Sequence, residues 1–554
     1  MEFDTKLYQF QSDALFTAPF KDGIHIRFYL SIKSLLKLLL PYINDRNANY
    51  GNFTPFGLQV LPDSAPQRVI VEFSSPNIAR EFTAAHLRGT IVGAFVANLY
   101  EAAGCSVLRV NYLGDWGKNL GLLGVGWQKY GSQEALNQPG YLFKYIHELY
   151  IKMEEELQPE QEARKQARAD GQDTSILESQ GLFAERDTAF KRIEDGEPEE
   201  IAFWQKLRDI SIDYYTEQYA RLGIKFDEYS GESQVSLSSK AVTDVESVLK
   251  DKKIWEEQNG AWVIDFDKHG AKLGTATIRD RNGSTSYLLR DIATVFDRLK
   301  IHAFDKMVYV VCEQDVHFRQ VFKVVELMGR VDVKNKLHHV TFTKPNGPSS
   351  HLGSVQVLGD IIDRYEQQMQ EAFAAVPESF PLQTNEAVAK MGVNSLVMQE
   401  LSSRKGGGSG LLGPFAFLNL SDGEAGTSLQ LCYARLCSAI DSLGAIDASN
   451  SDSVAQTECA TALEPPWSEL LRLMSKYPDI TQSAFEKLEP GTILAYLFRV
   501  AEELTLCLDA ADEEAEGESS GVASKDLIRA FLFAGARQVL KNGMRLLGAV
   551  PISQ

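Results

Sequence analysis

RVIVEFSSPNIAREFTAAHLRGTIVGAFVANLYEAAGCSVLRVNYLGDWG, residues 68–117, is the stretch that decides the fold. Its start, VIVEF (69–73), is a short apolar run typical of a buried strand, and Pro76–Asn77 marks a turn after it. The apolar segment 86–104 predicts a helix, and 105–113 predicts a second strand that ends in a glycine-rich turn. This order favours a parallel, doubly wound α/β sheet with ligands beyond the carboxyl ends of its strands.

The remaining sequence predicts an insertion and a helical C-terminal part. Residues 304–329 again predict a strand followed by a helix, whereas 151–173, IKMEEELQPEQEARKQARADGQD, is charged and typical of a surface insertion. After residue 388, apolar stripes at helical spacing predict an all-helical domain. The predicted domains are a short N-terminal one (1–66), an α/β one (67–387) with an insertion at about 130–265, and a helical one (388–554).

Composition limits the classes of partner and site. The chain has 554 residues, is 44% hydrophobic and has a net charge of −19, which disfavours DNA as a partner. Part of the acidic excess lies in DAADEEAEGESSG (509–521), so a local basic surface remains possible elsewhere. The six cysteines lack paired zinc spacing, which predicts a reducing compartment and no metal. Because no signal peptide or membrane-length apolar run is present, we predict a cytoplasmic protein without a membrane partner.

Several long motifs resemble class I arginyl-tRNA synthetases. The resemblance begins in residues 71–123 and continues, in the family's order, through FDEYSGES (226–233), SYLLRDIATVFDR (286–298), LQLCYARLCSAI (429–440) and LKNGMRLLGAVP (540–551). It implies a Rossmann-like catalytic domain with an inserted domain, followed by an all-helical anticodon-binding domain, and a monomer. The family's N-terminal tRNA-elbow domain is shortened here, since only GIHIRFYLSIKSLLKLLLPYI (23–43) matches its last part.

The resemblance also implies an arginine pocket. A guanidinium is planar and always charged, so a selective pocket needs carboxylates and fixed acceptors. The family's arginine-binding positions match here as Glu72, Asn77, Tyr287, Asp291 and Gln314. The two carboxylates suit the guanidinium and α-ammonium groups, and the other three side chains suit orientation of the substrate. Retention of these residues as fold scaffolding is the alternative interpretation.

Both family signatures for ATP depart from the expected pattern. The first, with two histidines flanking a glycine, becomes TAAH, so Thr83 replaces a histidine, Ala85 replaces the glycine, and His86 remains. The second, a basic loop, corresponds to GPSSHLG (347–353), where His351 and Leu352 stand in place of Arg and Lys. Loss of such donors predicts weak adenylation, because one transition-state donor contributes about a hundred- to a thousandfold in rate. A divergent but active synthetase is the alternative.

A basic stripe on the last predicted helix points to tRNA. Its members recur at multiples of four: Lys525, Arg529, Arg537, Lys541 and Arg545. That spacing gives a slowly spiralling stripe suited to phosphates, whereas spacing alone equally describes a solvated helix face. The position of the helix within the family favours tRNA.

An arginine pocket and a tRNA-binding domain without a good ATP site imply that arginine arrives already esterified to tRNA. In this pattern of loss the chain resembles fungal arginine-containing cyclodipeptide synthases. The implied partners are arginyl-tRNA and a second aminoacyl-tRNA, without ATP or cofactor, and no motif marks the second amino acid. Candidates for base or nucleophile are His86, Glu313, Asp115, His317 and Thr83. The competing hypotheses are a divergent arginyl-tRNA synthetase and a non-catalytic arginine- or tRNA-binding protein.

Overall fold

The structure, a computed structural model, describes most of the chain. The described residues are 15–17, 20–22, 25–52, 65–78, 80, 82, 84–132, 134–135, 139–237, 240–281, 283–311, 315–342, 358–374, 384–402, 426–443, 465–516 and 523–553.

Among the described residues, ten strands form three sheets. The strands are β1 (Phe20–Asp22), β2 (His25–Arg27), β3 (Arg68–Phe73), β4 (Ser106–Leu113), β5 (Glu228–Gly231), β6 (Glu256–Gln258), β7 (Ala261–Asp265), β8 (Thr275–Arg279), β9 (Lys306–Val310) and β10 (Leu337–Val340). The central five-stranded sheet is parallel throughout, in the order β10-β9-β3-β4-β5. Strand order therefore reverses at β3 and β9, and the carboxyl ends of these two strands border the crevice where doubly wound sheets bind ligands.

Helices surround this sheet and make up most of the rest of the described chain. They are α1 (Ile32–Ser34), α2 (Leu40–Arg46), α3 (Ala84–Ala102), α4 (Lys118–Tyr130), α5 (Pro139–Ala169), α6 (Ser175–Glu178), α7 (Gly181–Glu194), α8 (Pro198–Arg221), α9 (Glu232–Leu237), α10 (Ala241–Asp251), α11 (Tyr287–His302), α12 (Asp315–Leu327), α13 (Val331–Lys334), α14 (Leu358–Phe373), α15 (Asn385–Ser402), α16 (Gly426–Leu443), α17 (Trp467–Ser475), α18 (Tyr477–Lys487), α19 (Pro490–Glu516) and α20 (Ala523–Leu547). A π-helical turn (Leu35–Leu39) and two 3-10 turns (Asn47–Asn49 and Asp267–His269) complete them. None of the described helices is both long and apolar enough to span a bilayer.

Helix α3 is packed on the sheet at very short range. Gly93 lies against Phe73 of β3, and a Cβ at this glycine would come within 2.2 Å of the Phe73 Cβ. Only glycine permits this approach of helix to strand. The side of α3 away from the sheet joins a hydrophobic core that continues into helices α15 to α20, so the α/β and helical parts share one core.

The segment predicted as an insertion, about 130–265, also contributes one strand to the central sheet. Helices α4, α5, α7 and α8 pack in a hydrophobic cluster that also includes Ile78, Leu113 and Trp116 at the carboxyl end of the sheet. Strand β5, however, lies inside the range 130–265 and pairs with β4 in the parallel sheet, with Leu113 opposite Gly231. The chain therefore returns to the sheet between the helical insertion and the small antiparallel sheet β6-β7-β8. A four-residue strand is too short to stand out from the flanking polar sequence.

The N-terminal part packs on the helical part. The Tyr50 hydroxyl donates to the Met474 carbonyl at 2.8 Å, and the Asn542 amide donates to the carbonyls of Asn47 and Tyr50 at 2.9 and 3.0 Å. These buried bonds join residues at opposite ends of the sequence. The described N-terminal residues thus rest on α20 and α17.

Candidate functional site

The crevice begins with a sharp turn after β3. Ser74 and Ser75 adopt left-handed φ angles of 71° and 50°. The Ser75 amide donates to Asn111 Oδ1 at 3.1 Å, which fixes this turn against the neighbouring strand β4. Asn77 then pairs with Gly114 as an isolated parallel bridge, and a Cβ on Gly114 would come within 2.1 Å of the Asn77 Oδ1. The predicted pocket residue Asn77 is therefore held tightly at the carboxyl ends of β3 and β4.

Glu72, another predicted pocket residue, is already paired. Glu72 is buried, and its carboxylate accepts a hydrogen bond from Arg298, whose guanidinium also donates to the Ser230 hydroxyl at 3.1 Å. Burial raises the pKa of Glu72, and Arg298 opposes that rise. Arg298 was not singled out by sequence reasoning, although it lies on the same helix as Asp291, about two turns further along.

Asp291 and Tyr287 meet His317 at the same edge of the sheet. His317 Nε2 lies 2.6 Å from Asp291 Oδ2, and the Tyr287 ring lies 4.9 Å from the imidazole. Tyr287 is 57% exposed and is the first residue of α11. The preceding residue, Ser286, caps this helix, because its side chain accepts a hydrogen bond from the Leu289 amide. The structure therefore brings together two predicted arginine-pocket residues and one predicted catalytic residue.

The carboxylate of Asp115, a predicted candidate base, is fully engaged in hydrogen bonds. It is fully buried and accepts hydrogen bonds from the Ser233 amide, the Ser233 hydroxyl and Arg208 Nε at 2.9, 2.8 and 2.8 Å. Burial raises its pKa, and these donors oppose the rise. Because the lone pairs are occupied by fixed donors, we propose no proton-acceptor role for Asp115. Its contacts join β4, α8 and α9 beneath the crevice.

A second buried ion pair lies near Asp291. Arg290 donates to Glu232 Oε2 from Nε at 2.6 Å and to the Thr285 carbonyl at 2.6 Å. Burial raises the pKa of Glu232 to about 7, in spite of Arg290. No sequence pattern indicated this pair, because Glu232 and Arg290 are far apart along the chain.

The first ATP-signature segment enters α3. Ala85 and His86 are partly buried in its first turn, and the His86 ring lies 5.5 Å from that of Phe82. Burial lowers the pKa of His86 to about 4, and the positive charge of Arg80 adds to this effect. His86 is therefore neutral at physiological pH and is not a cationic partner for phosphate.

Several predicted positions lie outside the described residues, or have side chains that are not described. They are Thr83, Glu313, Gln314, His351 and Leu352, together with the side chain of Lys525. Their roles remain predictions. Within the described part of the chain, no group of three His, Cys, Asp or Glu residues is arranged to hold a metal ion.

The basic stripe on α20 is divided in two. Arg529 pairs closely with Glu514, lies 3.6 Å from Asp526 and sits over the Trp467 ring. Arg537 and Lys541, by contrast, are partly exposed and Arg545 is exposed. The acidic end of α19 therefore neutralises one member of the predicted stripe, and sequence spacing did not indicate this.

Comparisons with known proteins agree with the fold and the motifs. The family description "tRNA synthetases class I (R), catalytic domain" matches residues 59–405, and "DALR anticodon binding domain" matches 429–554. The chain is 34% identical to the cytoplasmic arginine–tRNA ligase of Saccharomyces cerevisiae, covering 96% of this chain and 82% of that protein. It is 35% identical to a probable cytoplasmic arginine–tRNA ligase of Schizosaccharomyces pombe, covering 96% and 83% respectively.

A solved structure and a further relative complete the comparison. The structure of Thermus thermophilus arginyl-tRNA synthetase matches with a TM-score of 0.71 at 16% identity, covering 98% of this chain and 89% of that one, which confirms the predicted α/β fold with a helical C-terminal domain. The mitochondrial arginine–tRNA ligase of Saccharomyces cerevisiae is 32% identical over 96% of this chain and 78% of that protein. Because the relatives include cytoplasmic and mitochondrial proteins, the cytoplasmic location stays a prediction.

Proposed function

Because this chain belongs to the class I arginyl-tRNA synthetase family, we propose that it binds tRNA and uses arginine already esterified to tRNA to form a cyclodipeptide with a second aminoacyl-tRNA. The family relationship supports an enzyme that handles arginine and tRNA. The proposal that this chain transfers arginine from tRNA, and does not ligate it to tRNA, rests on its own departures from the family pattern.

The single observation that carries the transfer reaction is the altered first ATP signature. Thr83 and Ala85 replace a histidine and a glycine, and the remaining His86 is neutral because burial lowers its pKa to about 4. The second signature segment, 347–353, also lacks adjacent basic residues. A site for ATP needs positive donors for the phosphates, and these segments supply few.

The proposed reaction needs no energy source beyond the two esters. The α-amine of one aminoacyl-tRNA attacks the ester carbonyl carbon of the other, so a C–N bond forms and the carbon–oxygen bond to the ribose breaks. The electron pair of that bond leaves with the ribose oxygen, which takes up the proton released by the amine. The free amine of the dipeptidyl-tRNA then attacks its own ester in the same way. Two aminoacyl-tRNAs give one cyclodipeptide and two uncharged tRNAs.

Asp291 and His317 are the groups that we propose to hold and deprotonate the arginyl α-amine. Asp291 is the more accessible of the two predicted pocket carboxylates, since its side chain is 20% exposed and that of Glu72 is 6% exposed. Asp291 Oδ2 and His317 Nε2 share one hydrogen bond of 2.6 Å, along which a proton can pass between the two side chains. His317 Nδ1 is buried and has no hydrogen-bond partner among the described residues, so the substrate amine would reach the pair through the partly exposed Asp291 carboxylate.

Ligation of arginine to tRNA is the second candidate, and the relatives favour it. Two proteins named as arginine–tRNA ligases are 34% and 35% identical over 96% of the chain. Arg80 also places one positive charge near His86, where its guanidinium lies 5.0 Å from the centre of the Tyr150 ring. One cation beside the first signature leaves a route for weak phosphate binding.

The deciding experiment compares two reactions of the purified full chain. Pre-charged arginyl-tRNA and a mixture of other aminoacyl-tRNAs are incubated without ATP, and released small molecules are identified by mass spectrometry. In parallel, ATP–pyrophosphate exchange is measured with free arginine, for the wild type and the double variant T83H/A85G. We expect an arginine-containing cyclodipeptide and no exchange from the wild type, and only weak exchange from the double variant, because segment 347–353 still lacks its basic residues.

The opposite result rejects the transfer reaction. Robust exchange by the wild type, without any cyclodipeptide, establishes ligation instead. If the protein shows no activity in either assay but still binds arginine or tRNA, the hypothesis of a non-catalytic binding protein is supported.

A further inference from the structure

An open cavity of about 410 Å³ lies beside the predicted arginine pocket. It lies between the start of α4, helix α7, strand β8 and the first turn of α11, and Lys118, Phe190, Thr277 and Tyr287 are among its lining residues. Its size falls within the range of about 300–1,000 Å³ that is typical of small-molecule sites. Of the described arginine-pocket residues, Tyr287 alone lines it.

Tyr287 connects this cavity to the arginine site. Its exposed ring is part of the cavity wall, and the same ring lies 4.9 Å from His317, which pairs with Asp291. The Tyr287 side chain therefore lies between a group bound in the cavity and the proposed base. An amine attacks an ester only when the two reacting groups are held almost in contact, so the second aminoacyl end must share a wall with the first.

We propose that this cavity binds the aminoacyl group of the second aminoacyl-tRNA. The inference rests on the proposed function and adds to it the place where the second substrate is selected. The cavity walls come from the insertion helices α4 and α7 as well as from α11, so the second substrate is read by a different surface from the arginyl group.

The basic side chains that line the cavity are already paired with carboxylates, which favours an uncharged aminoacyl side chain as the ligand. Lys118 pairs with Asp187 at 3.0 Å and with Asp280 at 3.3 Å. Arg290 pairs with Glu232 on the other side. A charged ligand would have to displace one of these partners and leave the other charge without its counterion. Phe190 and Leu288 add apolar surface, and the Thr277 hydroxyl adds a hydrogen-bonding group.

The test changes Thr277, which is partly buried on β8 and lies outside the proposed arginine-binding and proton-accepting residues. The variant T277F fills the cavity, T277A enlarges it, and T243F places the same bulk on an exposed threonine of α10, away from the cavity. Each full-length protein is supplied with arginyl-tRNA and a mixture of other aminoacyl-tRNAs. The cyclodipeptides are then quantified by mass, together with the KM for arginyl-tRNA and the midpoint of thermal unfolding.

We expect T277F to reduce the yield with the largest second residue by about tenfold or more and to shift the products towards small residues. T277A should shift them towards larger ones, while the KM for arginyl-tRNA stays within about twofold, as in T243F. An unchanged product distribution in both Thr277 variants of an active protein overturns the cavity assignment alone. A wild type that forms no cyclodipeptide overturns the proposed function, and this assignment with it.

Discussion

His317 Nε2 lies 2.6 Å from Asp291 Oδ2, and this contact joins helices α11 and α12 across the carboxyl end of β9. The pair lies where the strand order of the parallel sheet reverses, which is the position at which such sheets bind ligands. The second nitrogen of the imidazole is buried without a partner in the described part of the chain, so a substrate would reach the pair through the Asp291 carboxylate.

Replacement of His317 by Gln should lower kcat for cyclodipeptide formation by at least about a hundredfold, because the proton acceptor is lost. The KM for arginyl-tRNA should change little, since Asp291 keeps its charge. Product formation under saturating and limiting arginyl-tRNA measures both quantities. His302→Gln is a matched control, because His302, at the end of α11, also lies beside a carboxylate, 3.2 Å from Glu228. Equal losses in the two variants would contradict a special role for His317.

Replacement of Asp115 by Ala should lower the free energy of unfolding by about 3–5 kcal/mol, because it leaves Arg208 and the Ser233 donors buried without their acceptor. Denaturant or thermal unfolding of the purified variant tests this. Asp305→Ala is the control, since its carboxylate also accepts a backbone amide, from Arg68 at 2.9 Å, but in an exposed place. The control should lose only about 1 kcal/mol. A stable but inactive Asp115 variant would instead indicate a catalytic group.

Removal of a single positive charge from α20 should affect tRNA binding differently along the helix. Replacing Arg537, Lys541 or Arg545 by Ala should each weaken tRNA binding and reduce the salt dependence of the association constant, because an available phosphate contact is lost. Arg529→Ala should have a smaller effect, since Glu514 and Asp526 already neutralise that charge. Titration of tRNA at several salt concentrations measures these effects. An effect of Arg529 as large as the others would show that tRNA displaces the acidic residues.

Glu400 should make the stability of the protein depend on pH. Burial raises its folded pKa to about 7, whereas the unfolded value is 4.5, so the folded protein holds a proton that the unfolded chain has already lost in this interval. The contribution of Glu400 to stability therefore falls as pH rises from 4.5 to 7, and is constant outside that window. The midpoint of thermal unfolding of the wild type, relative to that of E400Q, should fall between pH 5 and pH 7.5.

The control for this measurement is E386Q on the same helix α15. Glu386 is exposed and pairs with Lys390, which lowers its pKa, so its protonation does not change within the same window. A wild type that tracks E400Q at every pH would show that Glu400 ionises normally.

The sequence by itself determined the fold class, an α/β part followed by a helical one, whereas the arginine pocket stays a prediction. Short apolar runs alternating with helical segments predicted the parallel sheet, and the sheet has the predicted alternation around β3 and β4. These properties depend on local periodicity and on motifs read along the chain, which need no knowledge of distant contacts. Strand β5 was not predicted, because four residues are too few to show the alternation of apolar and polar side chains that is typical of a strand.

Only the tertiary structure decided which of those side chains are available. Glu72 is paired with Arg298, Asp115 is enclosed by Ser233 and Arg208, and Arg529 is neutralised by Glu514. Most of these partners come from distant segments of the chain, and burial then shifts the ionisation of the groups that remain. The sequence places residue types in order along the chain. Charge, access and hydrogen-bond capacity at the site arise only when folding brings those separate segments into contact.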